Sequence, residues 1–219
     1  MNTYSREDIL SSFRNPRYES LNETRWNHFL AMGIPIKNQL IFEPGAGVGD
    51  QTEWLLKQDP MFIWVNEGRE GNAEIIRDRF VGNFRVEVFC GDLESCLAFP
   101  EYDFYADLIF CYGVYYHLRE DEQFTIMRQL SKLGETIAFD YLAGEDGEVS
   151  YGYDNPSTSI SQYARRPRRE TMTAALKTCW EFVYDPKEPL AWVDPQAYED
   201  RVVAVASHVE LNNPSLIQK

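Results

Sequence analysis

The stretch from residue 40 to residue 56 constrains this chain more than any other. An apolar run at 40–42 ends in Glu43, and after Pro44 three glycines fall at alternate positions, Gly45, Gly47 and Gly49. Trp54, Leu55 and Leu56 then open the apolar face of a helical pattern. A strand, a glycine turn and a helix start, in that order, predict the first unit of an α/β sheet. Glycine suits the turn because it reaches positive φ and lets a ligand lie against bare backbone. The spacing also discriminates among ligands. A dinucleotide fingerprint, G-x-G-x-x-G, wants glycine at position 50. The chain has Asp50 there, and a carboxylate at that helix start repels a pyrophosphate. Glu43 suits an ammonium group. The alternative is a tight strand-to-helix turn that holds no ligand.

Further apolar strands follow, with acids or glycines at their ends. Residues 62–66 form a second strand closed by Glu67, eighteen positions after Gly49. In a doubly wound sheet the ligand lies across the carboxyl ends of the strands. An acid at the second tip can accept from both ribose hydroxyls; otherwise Glu67 is a solvated acid heading a helix. A third strand, 84–89, ends in Cys90, Gly91, Asp92 and Leu93. Asp92 either meets a ligand or caps a short segment from 93 to 97. A fourth strand, 107–111, leads into Tyr112, Gly113, Val114, Tyr115, Tyr116, His117 and Leu118, and a fifth, 136–140, ends in Asp140.

These motifs resemble those of the class I S-adenosylmethionine-dependent methyltransferases. Residues 43–49 match their first motif, E/D-x-G-x-G-x-G, in full, and residues 112–118 look like their G-V-L-Y-H-L segment with Tyr115 in place of leucine. S-adenosylmethionine carries a sulfonium and no phosphate, so Asp50 does not oppose it. The resemblance implies a Rossmann-like, doubly wound sheet of seven mainly parallel strands, the last antiparallel. It implies cofactor contacts from Glu43, Gly45, Gly47, Gly49, Glu67, Gly91, Asp92, Leu93 and Tyr112, with Asp92 accepting from the adenine amine. Residues 15–25, 165–169 and 202–213 extend the likeness to a bacterial subgroup of small, mostly uncharacterised methyltransferases.

At 219 residues, 44% hydrophobic and 14% aromatic, the chain suits one globular domain. The reading divides it into N-terminal helices (1–36), with Pro16 separating two of them, a cofactor-binding core (37–142), a substrate lid (143–170), and a C-terminal helix and strands (171–219). The lid is expected because 143–169 is polar, glycine-rich and without clear period, yet holds Tyr151, Tyr153 and Tyr163. No apolar run approaches the ~18 residues of a membrane span, and residues 1–8 have no signal-peptide pattern. Cys90, Cys96, Cys111 and Cys179 form no C-x-x-C pair and read as reduced core residues of a cytoplasmic protein. His28, His117 and His208 are far apart, so no metal site is expected. A net charge of 21 − 35 = −14 opposes nucleic-acid binding.

Methyl transfer is a displacement at the sulfonium methyl that depends on alignment and desolvation. If the acceptor is protonated, His117 is the natural base because imidazole titrates near neutrality; otherwise it caps or packs the next helix. Tyr116 and Asp140 join it as catalytic candidates. Tyr115 and Tyr141 are acceptor-pocket candidates, or ordinary half-buried aromatics. Arg166 and Arg168, within a basic cluster at 165–169, are either a clamp for an anionic acceptor or a solvated helix entry. The expected activity is methyl transfer to O or N of a small molecule. A protein or peptide acceptor is the first alternative. The second, of another class, is an NAD-dependent oxidoreductase or a non-catalytic nucleotide-binding module.

Overall fold

Two helices open the chain because two side chains stop and restart the backbone. Ser5 caps α1 (Arg6–Phe13) by accepting from the Asp8 N–H, while Asp8 accepts from the Ser5 N–H, a reciprocal pair that satisfies the exposed first turn. Asn15 caps α2 (Pro16–Ala31) by accepting from the Tyr18 N–H, with Pro16 at the first helical position, where its missing N–H costs nothing. The computed structural model describes residues 4–93, 104–118, 120–145, 147–150, 163–190 and 201–219. Cys96, Arg119, Tyr151 and Tyr153, much of the expected lid, and residues 94–97 lie outside them.

Strands and helices then alternate: β1 (Leu40–Pro44), α3 (Asp50–Leu56), β2 (Phe62–Glu67), α4 (Glu70–Arg79), β3 (Val86–Cys90) and β4 (Ala106–Cys111). A 3₁₀ turn (Tyr115–His117) leads to α5 (Glu120–Leu133) and β5 (Gly134–Leu142). After β6 (Gly147–Ser150) and β7 (Tyr163–Arg166) come α6 (Arg169–Lys177), β8 (Phe182–Pro186), β9 (Arg201–Ser207) and β10 (Leu216–Gln218). The main sheet has the order β10-β8-β9-β5-β4-β1-β2-β3. Strands β3, β2, β1, β4 and β5 are parallel, and β9 runs antiparallel between β5 and β8. This is the expected doubly wound architecture with two differences. The short β10 pairs antiparallel with β8 and makes an eighth strand. A second difference lies in the expected lid, where β6 and β7 pair as a two-stranded antiparallel ribbon.

Alternation along the central strands divides the core. Ile41, Leu108 and Phe110 face α2, where Trp26 and Phe29 pack on them. Phe42, Ile109 and Phe139 face Ile126, Met127 and Leu130 of α5. Strand order reverses between β1 and β4, so the crevice at their carboxyl ends is where this architecture binds ligands. No helix among the described residues is long and apolar enough to cross a membrane.

Candidate active site

The glycine loop sits at that crevice. Gly45, Gly47 and Gly49 have φ of 68°, 64° and 83°, conformations that side chains rarely adopt. Space excludes side chains as well: a Cβ on Gly45 would run into Val114, and one on Gly47 would lie 2.6 Å from the Phe13 ring. Phe13 therefore lays α1 across the loop. The loop is tied to β2, since the Gly45 and Ala46 N–H groups donate to Asn66 O (2.7 and 3.1 Å) and Gly47 donates to Glu67 Oε2 (2.8 Å).

Glu67 closes β2 and is 7% exposed. Its Oε1 accepts from the Arg69 N–H (3.0 Å) and from Asn72 Nδ2 (3.3 Å). Burial pushes its carboxyl up to about 7, against the pull of those hydrogen bonds. Glu43, at the tip of β1, is 2% exposed. Its Oε2 accepts from the Thr52 hydroxyl (2.6 Å), while Oε1 is buried with no hydrogen-bond partner among the described residues. Burial pushes Glu43 up to about 8; Thr52 and Arg79 oppose the rise and Asp50 adds to it. Asp50 itself pairs with Arg79 (2.6 Å), which also holds Glu53 (2.7 Å). The first turn of α3 therefore carries a neutralising guanidinium that the sequence argument about Asp50 did not include.

At the tip of β3 the Gly91 N–H donates to Glu67 O (3.0 Å), and Gly91 O accepts from Asn66 Nδ2 (3.0 Å). Asp92 is exposed and Leu93 buried beside them. Tyr112 follows β4, but its ring turns away into the α2-side core, stacked on Phe110 at 4.7 Å, and its hydroxyl has no hydrogen-bond partner among the described residues.

The acceptor-side candidates do not converge. Tyr115 is fully buried against Phe139 at 5.1 Å, a core residue rather than a pocket wall. Alternation along β5 sends Tyr141 to the face opposite Asp140. Tyr141 borders a separate cleft of about 520 Å³ with Arg169, Lys177 and Asp185. Arg168 is exposed and pairs with the exposed Glu145 at 2.9 Å, so at this position the solvated helix entry holds. Arg166 lies two residues earlier, at the end of β7 opposite Gly147.

Asp140 is 0% exposed and committed. Its Oδ2 accepts from Arg25 Nε (3.0 Å) and Arg201 Nη1 (2.8 Å), and its Oδ1 from the Gly113 N–H (2.6 Å). Burial would raise this carboxyl, but Arg25 and Arg201 outweigh it and hold it below the usual range. With every oxygen engaged, Asp140 fixes α2, β9 and the 113 turn instead of touching an acceptor. Arg25 also donates to Asn22 Oδ1 (3.1 Å) and to the Tyr116 hydroxyl (3.2 Å), and Gln51 Nε2 donates to the same Asn22 oxygen (3.2 Å). The Arg201 guanidinium lies 4.2 Å from the Tyr116 ring centroid. His117, beside Tyr116, is pushed down to about 3 by burial, then by Arg201 and Arg25. A base that titrates near neutrality is thus not what His117 offers in this arrangement.

The sequence reading missed Asn22, Gln51, Arg25 and Arg201 as a buried set. The signal was present in part: Asn22 and Arg25 fall on the same stripe as Trp26 and Phe29, where a helix face should be apolar. Arg201 heads β9, ahead of the apolar run 202–206. Among the described residues no group of three or more His, Cys, Asp or Glu side chains is arranged to hold a metal ion.

No family model matches the chain, and no curated protein matches it by sequence. Solved structures do match by fold. The N-terminal domain of EvdMO1, solved in the presence of S-adenosylhomocysteine and D-fucose, aligns with a TM-score of 0.66 at 18% identity, over 88% of this chain and 84% of that one. An S-adenosylmethionine-dependent methyltransferase from Mesorhizobium loti aligns at 0.60 and 14% identity, over 84% and 97%. The 1,6-didemethyltoxoflavin-N1-methyltransferase of Burkholderia thailandensis, solved with 1,6-didemethyltoxoflavin and S-adenosylhomocysteine, aligns at 0.61 and 15% identity, over 94% and 87%. The chain has the fold of the class I S-adenosylmethionine-dependent methyltransferases.

Proposed function

We propose that this protein transfers a methyl group from S-adenosylmethionine to an O or N atom of a small-molecule acceptor. One observation carries the reading. A glycine loop that admits no side chain at Gly45 or Gly47 lies between two buried acids at adjacent strand tips, Glu43 and Glu67. That donor set fits the cofactor: a loop for close backbone approach, a carboxylate for a ribose diol, and a partly unsatisfied carboxylate for an ammonium. Gly91, Asp92 and Leu93, at the next tip, belong on the adenine side, and the Tyr112 backbone on the methionine side. When bound, the cofactor supplies an electrophilic methyl group.

The chain's own residues contribute position and dryness. Phe13 and Val114 close the loop against water. Arg25 and Asp140 fix the turn that carries Tyr116 and His117. Tyr116 accepts from Arg25, so its own proton is free to be donated toward an acceptor. His117, kept neutral by burial and then by two guanidiniums, orients rather than removes a proton. Those guanidiniums favour a neutral or anionic acceptor over a cationic one, and Arg166 remains the acceptor-side residue of the 165–169 cluster. A protein or peptide acceptor is the competing reading, and the chain's −14 charge favours a basic one.

Incubating the purified protein with methyl-labelled cofactor and fractionated cell extract tests the proposal. Label should appear in a small-molecule fraction. Label confined to protein would transfer the assignment to the competing reading, and no label in any fraction would count against both.

A further inference from the structure

Outside the ligand contacts just described, the loop poses a question of proton balance. Two carboxyls are buried within one crevice, and neither meets a cation directly in the described structure. Glu43 bonds only the neutral Thr52 hydroxyl and leaves Oε1 buried without a partner. Glu67 bonds two backbone N–H groups and an amide. A buried carboxylate with no countercharge in contact is costly, and burial favours the protonated form at both positions, at Glu67 against the pull of its three hydrogen bonds. We infer that cofactor binding at this loop is coupled to proton release, Glu43 and Glu67 surrendering protons as an ammonium and a ribose diol take their places. This rests on the reading of the loop as an S-adenosylmethionine site.

The surrounding charges support the coupling. From α3, Asp50 faces Glu43 and opposes its ionisation; from α4, Arg79 favours it, but is bonded to Asp50 and Glu53. From the β2 side, Glu67 opposes it and Arg69 acts on Glu67. At the carboxyl end of neighbouring β4 and just beyond it, the Cys111 thiol and Tyr112 phenol are both raised by burial and therefore neutral; Asp107 lies at the strand's opposite end. On α2, Tyr18 is raised by burial, and Arg25 is committed to Asp140. With Glu43 at about 8 and Glu67 at about 7, both carboxyls are mainly protonated at pH 6.5. An ammonium needs the first as a carboxylate, and a diol that donates twice needs the second. The proton balance is simple: two carboxyl O–H bonds break, their protons go to buffer, and the ligand's ammonium keeps its own.

Titration calorimetry of the full chain with S-adenosylhomocysteine at pH 6.5, in phosphate and in Tris, reads the release directly. The heat should differ between buffers by an amount that corresponds to between about one and two protons released per site. Affinity should rise roughly tenfold per pH unit per proton between pH 6 and 7. Glu43→Gln should remove about one proton from the count, and Glu67→Gln most of the remainder. Buffer-independent heats with clear binding would overturn the coupling while leaving the cofactor assignment intact. A proton count unchanged in both variants would also overturn it. If neither variant folds, the wild-type affinity profile from pH 6 to 9 decides, and a flat profile refutes the coupling. Failure of both S-adenosylmethionine and its product to bind would instead refute the cofactor assignment.

Discussion

Replacing Glu43 with glutamine should flatten part of the pH dependence of folding stability. Burial lifts this carboxyl from an ordinary 4.5 to about 8, so the folded protein holds the proton more tightly than the unfolded chain does. Its contribution is full below pH 4.5 and declines as pH rises through 8. From pH 5 to pH 7.5 the decline covers 2.5 units at about 1.36 kcal/mol each, or about 3 kcal/mol. Glutamine does not titrate, and its carbonyl can still accept from Thr52. Its amide group, placed where Oε1 has no partner, costs about 1–3 kcal/mol, but that cost is the same at every pH. The difference in stability between variant and wild type is therefore the informative quantity. Urea unfolding at pH 5, 6, 7 and 7.5 should move that difference by about 3 kcal/mol in favour of Glu43→Gln. A difference that stays constant across the range would mean that Glu43 is ionised in the folded apoprotein, and would refute the reasoning.

Other outcomes follow from the same contacts. Glu67→Ala should weaken S-adenosylhomocysteine by roughly 10- to 150-fold, the loss of about 1.5–3 kcal/mol of charge-assisted hydrogen bonds, read by calorimetry at pH 8 against an analogue lacking the ribose hydroxyls. Asp140→Asn, which weakens the partner of two buried guanidiniums, should cost about 3–5 kcal/mol of stability by urea unfolding; a change under about 1 kcal/mol would show the cluster to be loosely coupled. Arg168→Glu should leave stability within about 0.5 kcal/mol and cofactor affinity unchanged, because its pair with Glu145 is exposed. Gly47→Leu should lower the melting temperature as well as abolish cofactor binding, since its side chain would displace Phe13 from a backbone held at positive φ.

The parts of the molecule that were legible in the sequence are those governed by local pattern. Apolar runs ending at Glu43 and Glu67 placed two strand tips, whereas β5 runs two residues past Asp140 to Leu142; alternate glycines placed the loop, because φ and close approach leave few substitutes. Order and direction of the strands followed from alternation with helices and from the family resemblance. Side-chain destinations at the acceptor end were not legible. Tyr115, Tyr116 and Tyr141 are chemically alike, and only tertiary packing sends one to the core, one to Arg25 and one to another face. Asp140 read as a free strand-tip acid because its partners, Arg25 and Arg201, stand 115 and 61 residues away. The three residues of β10 are too few for a periodic signal. The β6–β7 ribbon pairs residues across a polar, glycine-rich stretch that carries no alternation of its own.

The central claim is that the glycine loop, Glu43 and Glu67 form a site for S-adenosylmethionine. Calorimetric titration of the purified chain at pH 8 with S-adenosylhomocysteine, and separately with NAD, tests it most directly, because it needs no knowledge of the acceptor. The account predicts one-to-one binding of S-adenosylhomocysteine, weakened roughly 10- to 150-fold in Glu67→Ala, and no measurable heat from NAD. Binding of NAD without S-adenosylhomocysteine would contradict it: Arg79 would then be neutralising Asp50 for a pyrophosphate, and the loop would belong to a dinucleotide.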